Sequence, residues 1–204
     1  MFFLGLAGTL FFIPLAAPFC HGKLINDVDL WAAFMRVISL LQCWEDGRFL
    51  GTWVPEIYYG QGYPINHYYS PLFAYLVAGT TLVLKNPVIA MNVVFIAISF
   101  LSGVAMFFFA RDFWGKAGGF FSAVLYMYAP YHIHQVLQGG ACGAFLAFMF
   151  LPLVFWGGRR CFFSGRTRWA VLLAFALAGL ILSHNLPAVM GMLVAGVYFI
   201  FLFC

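Results

Sequence analysis

Charge is what this 204-residue sequence has least of: ten Lys and Arg and six Asp and Glu, together 8% of the chain. Soluble domains carry roughly 25% charged and roughly 45–50% apolar residues, whereas here 65% are hydrophobic and the mean hydropathy is +0.98. A water-soluble globule is excluded. The apolar runs are nearly free of acids and bases, which ranks an ion-coupled transporter last. The basic residues form no clustered face, so no nucleic-acid partner is indicated. Five cysteines, at 20, 43, 142, 161 and 204, show no C-x-x-C spacing. They indicate neither a zinc site nor a disulfide framework, and read as inert thiols. Residues 1 to 19 lack the basic start and small-residue cleavage site of a signal peptide, so they read as a retained first span.

What is abundant is hydrocarbon and aromatic surface, with 26 Phe, 10 Tyr and 6 Trp. Helices satisfy their own backbone in lipid, and Tyr and Trp suit the interfaces. The fold class is therefore an all-α, multi-pass membrane protein with about six transmembrane helices. Apolar runs of about 17 to 25 residues can cross, and the candidates are 2–20, 87–110, 117–135, 140–157, 169–184 and 186–204, with a kink expected near Pro187. The chain reads as a single transmembrane domain: an outer loop over 21–86 with interfacial helices, then a bundle over 87–204.

Six of the ten basic residues sit in "RDFWGK" (111–116) and "RRCFFSGRTR" (159–168). Two spans separate these segments, so they lie on one side, and short cytoplasmic loops collect Lys and Arg. With that side inside, 68–84 must be interfacial or re-entrant rather than crossing, and the N-terminus is cytoplasmic. All five histidines (21, 67, 132, 134, 184) and five of the six acids then fall on the outer face of a cytoplasmic membrane. A connection as long as 21–86 marks functional structure.

In that loop, Leu30, Trp31, Phe34, Ile38 and Leu41 recur at helical spacing, predicting an amphipathic helix from 28 to about 46, flat on the bilayer and ended by Gly47. Asp27 and Asp29 stand at its start, where a carboxylate can cap free N–H groups or act as a general base. Arg36, two turns on, shares a face with Asp29 and is placed to pair with it or grip a phosphate. Glu45, Asp46 and Arg48 read as a solvated cluster. In "YYGQGYPINHYYSPL" (58–72), Gly60 and Gly62 permit positive φ, while Pro64 and Pro71 fix extended and helix-start geometry. Tyr58, Tyr63 and Tyr69, with Tyr59 and Tyr68, form an interfacial belt or a stacking surface for sugar rings. His67 makes a polar contact or assists chemistry.

These segments resemble the first outer loop of GT-C type membrane glycosyltransferases, and resemble more closely the multi-pass membrane proteins called 6-pyruvoyl-tetrahydropterin-synthase-related, a name that implies no pterin chemistry here. Asp29 and Arg36 match a "D-x-x-x-H-x-x-R" stretch in which Ala33 replaces the histidine. Trp53, Pro55, Gly60, Gly62, Pro64, Tyr69, Pro71 and Leu72 match "W-x-P-x-x-x-x-G-x-G-x-P-x-x-x-x-Y-x-P-L". "APYHIHQVLQGGACGAFLAFMFLPLVFWG" and "ILSHNLPAVMG" resemble two later segments, but Gly139 and Ala144 stand where Arg and Glu are usual.

The resemblance implies a GT-C like helical fold and transfer of a sugar from a polyprenyl-phosphate donor to a cell-envelope acceptor, with inversion. It implies Asp29 as base, Asp27 as its support or a metal ligand, and Arg36 as a donor-phosphate contact. His132, His134 and His184 would border the cavity or serve structure. Some members of the wider superfamily use a divalent metal, which leaves the cofactor open. The competing reading is a non-catalytic membrane protein that binds or moves a lipid-linked envelope component. Because such proteins usually carry further spans, this sequence is also expected to be an N-terminal part of a longer chain.

Overall fold

The computed structural model describes residues 28–55, 59–137 and 141–203, with residues 17 and 20 besides. The rest of the expected first span, Asp27, Tyr58 and Gly139 lie outside the described residues. Helices dominate: α1 (Val28–Glu45), α2 (Ile65–Tyr68), α3 (Leu72–Leu84), α4 (Pro87–Met127), α5 (Pro130–Leu137), α6 (Cys142–Ser164), α7 (Thr167–Ser183) and α8 (Asn185–Phe203).

α1 forms where its periodicity placed it and stops where glycine allows. Gly47 takes φ 76° and donates to Trp44 O, while Arg48 N–H donates to Cys43 O at 2.8 Å. Those two bonds satisfy carbonyls that a helix end otherwise leaves unpaired. The buried stripe is rotated from the expected one: Leu30, Val37, Leu40 and Cys43 face inward, whereas Trp31 is 49% exposed. Periodicity defines an apolar arc, and packing against α3 selects which part of it is covered.

α4 is a hairpin rather than one rod. Gly115 turns the chain at φ 68° and ψ −167°, so helical segments flank the "RDFWGK" turn. The two arms touch closely: a Cβ at Gly119 would lie 2.9 Å from Phe107 O, and one at Gly103 would lie 2.6 Å from Met127 Sδ. Small residues let helix backbones approach where lipid supplies no hydrophobic drive between them. Asn86 caps the entrance, its Oδ1 accepting from Val88 and Ile89 N–H, with Pro87 at the first helical position.

The expected 117–135 span is divided. The second arm ends at Met127, and α5 restarts at Pro130, because a proline disfavours helical geometry in the residue before it. The boundary between the last two helices lies at His184, which is extended (φ −166°, ψ 134°), and not at Pro187. Pro187 falls in the first turn of α8, where a missing N–H is tolerated.

Among the described residues, the α4 hairpin, α6 and α8 are long and apolar enough to cross a membrane. α3 and α7 are apolar but shorter, at 13 and 17 residues. Thus the protein is a helical membrane protein. The core runs through all the long helices, with the tilted rings of Phe73, Phe95 and Phe145 packed in series at 5.3 and 5.5 Å between centroids.

The two basic segments meet at one end. Asp112 accepts from Trp156 Nε1 at 2.9 Å and from Arg160 Nε at 2.6 Å, with Arg160 completing a bidentate pair. Arg159 lies over the Phe113 ring at 4.4 Å. The opposite ends of α6 and α7 meet α1 and the 51–70 loop, about 27 Å away along α6.

Candidate functional site

The loop between α1 and α3 is held as a clasp. Val54 and Tyr63 exchange both backbone hydrogen bonds at 3.0 Å, closing residues 54–63 into a ring. Tyr59, Gly60 and Gly62 take positive φ inside it. Gly62 is packed face-on by Trp53: a Cβ there would lie 2.5 Å from the indole. The sequence pairing of Trp53 with the glycines therefore has a local structural cause.

Arg36 ties this clasp to the helices. Its Nε donates to Asn66 Oδ1 at 3.0 Å, its guanidinium donates to Ser70 O at 3.1 Å, and it lies 5.3 Å from the Tyr69 ring centre. Asn66 Nδ2 donates in turn to Gly51 O at 2.6 Å. Ser70 Oγ reaches Asn185 Oδ1 at 2.9 Å, linking the loop to the start of α8. Burial pulls the Arg36 pKa below its ordinary value, yet arginine remains a cation.

Around these groups lies a cavity of about 500 Å³. Asp29, Arg36 and Ala33 border it from α1, Tyr68, Tyr69 and Ser70 from the loop, Cys142 and Gly143 from α6, and His184 and Asn185 from the α7–α8 junction. Gly143 must be small, since a Cβ there would lie 2.3 Å from Ser183 O. An acid, a guanidinium, a phenol, an imidazole and an amide thus share one wall system. Such a set can hold an anionic headgroup through Arg36 and move a proton at Asp29.

Not every candidate residue joins it. His184 does, and its Nδ1 accepts from Leu186 N–H at 3.3 Å, so it also caps α8. Burial lowers the His184 pKa. His132 is enclosed elsewhere, 0% exposed, by the rings of Tyr126, Phe145 and Phe148. His134 is exposed on α5, and His67, Tyr63 and Gly60 lie on the exposed surface of the clasp. Asn66, Ser70 and Asn185 were missed as organisers. The signal was present in the asparagines bordering apolar helices, where a side-chain amide needs a partner. Among the described residues, no three His, Cys, Asp or Glu side chains gather to hold a metal.

A second cavity, of about 750 Å³, adjoins the first and shares Ala141, His184 and Leu186 with it. Its walls are mainly hydrocarbon and aromatic, from the α4 hairpin, α5, α6 and α8. Ala144, where glutamate is usual in the resembling segment, is part of that wall.

The chain is 25% identical over 190 residues to an uncharacterised protein of Lactococcus lactis subsp. cremoris (strain MG1363), an alignment covering 91% of this chain and 31% of that protein. The chain therefore spans about a third of that relative's length. No solved structure matches it. The model of the 6-pyruvoyl-tetrahydropterin synthase related domain, described as a membrane protein, matches residues 66–204, and the chain belongs to that membrane-protein family.

Proposed function

We propose that the polar cavity receives the phosphate-bearing headgroup of a polyprenyl-phosphate sugar and that the protein acts as a GT-C like glycosyltransferase of the cell envelope. The observation that carries this reading is that Asp29 and Arg36 border one cavity, which adjoins an apolar one. Asp29 takes the proton of an acceptor hydroxyl as that oxygen bonds to the anomeric carbon. The bond from that carbon to the phosphate oxygen breaks, its electrons leaving with the phosphate beside Arg36. Holding both reactants at the membrane surface makes the encounter nearly intramolecular. In this reading the basic end of the bundle faces the cytoplasm and the cavity faces outward.

Ala144 in the apolar wall, in place of a carboxylate, favours a second reading in which the same cavity binds or moves the lipid-linked component without chemistry. Native mass spectrometry of wild type and Asp29→Asn with undecaprenyl-phosphate sugars, with detection of transferred product, separates the two. Headgroup-selective binding with product lost in the variant supports transfer. Binding with no product from either protein supports the second reading, and absence of binding removes both.

A further inference from the structure

In the sequence the cations fall in separate runs, but the fold brings two of those runs to one end of the bundle. The turn of the α4 hairpin carries Arg111 and Lys116, and the α6–α7 connection carries Arg159, Arg160, Arg166 and Arg168. Asp112 is the one acid in either run, since the other five acids of the chain all lie within residues 27–56. Six cations therefore meet a single carboxylate.

That carboxylate is already engaged. Arg160 holds it bidentately, Trp156 Nε1 donates to it, and Arg159 stands 3.9 Å away. Arg111, Lys116, Arg166 and Arg168 are exposed and form no ion pair among the described residues. The positive charge at this end is thus left for something outside the chain to balance.

Aromatic rings share its level. Arg159 lies over Phe113 at 4.4 Å and over Phe163 at 5.0 Å, and Arg168 lies over Trp169 at 5.0 Å. Phe113, Trp114, Phe162 and Phe163 are themselves exposed. Exposed rings interleaved with guanidiniums, at the ends of helices apolar enough to cross a membrane, fit the boundary where hydrocarbon gives way to headgroups. A soluble polyanion would leave those rings in water, whereas a lipid covers both the rings and the charges.

We propose that this end of the bundle is a binding surface for anionic phospholipids, their phosphates meeting Arg111, Lys116, Arg166 and Arg168 and their acyl chains lying against Phe113, Trp114 and Phe163. Each Lys or Arg held at an anionic lipid surface favours binding by about fivefold. The surface lies at the far end of α6 from the polar cavity, so the lipids it holds are independent of sugar transfer.

The test is native mass spectrometry of the full chain released from nanodiscs of equal parts palmitoyl-oleoyl phosphatidylglycerol and phosphatidylcholine, which share acyl chains and differ in headgroup charge. Wild type should retain phosphatidylglycerol over phosphatidylcholine by about tenfold or more at low salt. Combining Arg111→Gln, Lys116→Gln and Arg166→Gln should cut that preference at least about fivefold. Arg48→Gln, beside the clasp and already paired with Asp46, should leave it unchanged. Equal retention of the two lipids by wild type overturns the proposal, as does an undiminished preference in the triple variant or its loss in Arg48→Gln. Should the triple variant not fold, a wild-type preference that does not weaken in about 0.5 M salt, where exposed charges are screened, overturns it equally. Asp29→Asn should keep the preference intact, so failure of this proposal and failure of the transfer reading are distinct results.

Discussion

Arg36 shows how one side chain can organise a site it also serves. Its guanidinium fork bonds Asn66 and the Ser70 carbonyl from one plane, a geometry that a lysine ammonium cannot reproduce. Arg36→Lys should therefore leave partly buried acceptors unpaired and destabilise the protein by about 1–3 kcal/mol. Thermal unfolding in detergent, with limited proteolysis of the 51–70 loop, measures it; an unchanged midpoint and an uncut loop would refute the tie. Gly62 supplies a cleaner case. Gly62→Ala forces a Cβ into Trp53 at a positive φ, and the backbone part alone costs about 1–2 kcal/mol. Repeating the substitution in a Trp53→Ala background should recover the collision part and leave the backbone part. Equal losses in both backgrounds would show that the indole is not what Gly62 accommodates.

At the scale of elements, the α4 hairpin depends on how closely its arms approach. Gly119 faces the Phe107 carbonyl, a backbone atom that cannot swing aside, whereas Gly196 on α8 has nothing within 4 Å of an added Cβ. Gly119→Leu should therefore destabilise the bundle by about 1–3 kcal/mol through overpacking, and Gly196→Leu should be near neutral. Comparable losses on thermal melting would mean that intrinsic helix effects, not the arm contact, decide. Much of this element was legible. The apolar runs flanking 111–116 gave two antiparallel helices and a basic turn, and periodicity with Gly47 gave α1. The break at Tyr128–Pro130 was not, because a hydropathy run reads straight through a tyrosine and a proline that backbone geometry does not. The site was legible in part for a related reason. Asp29 and Arg36 share a helix face and could be paired by spacing. Asn66 and Ser70 meet Arg36 across 30 and 34 residues of sequence and Ser70 meets Asn185 across 115, and no local pattern encodes contacts of that separation.

Across the whole molecule, charge and chemistry are segregated along α6. Asp112, Arg159 and Arg160 cluster at one end, and Asp29, Arg36, His184 and Asn185 gather at the other. The direct Asp112–Arg160 contact joins 111–116 and 159–168 at one end of the bundle, whatever the number of helices that cross. Which side that is follows only from the rule that cytoplasmic loops retain Lys and Arg. In cells expressing a variant with its five cysteines replaced, a single cysteine at Lys116 or Arg166 should resist an impermeant maleimide until the membrane is opened. One at Thr52 or Tyr59 should react from outside at once. The opposite pattern would turn the polar cavity toward the cytoplasm, where nucleotide-activated sugars rather than outward-facing lipid-linked ones are at hand, and would overturn the proposed donor while leaving the fold and the cavity geometry as they stand.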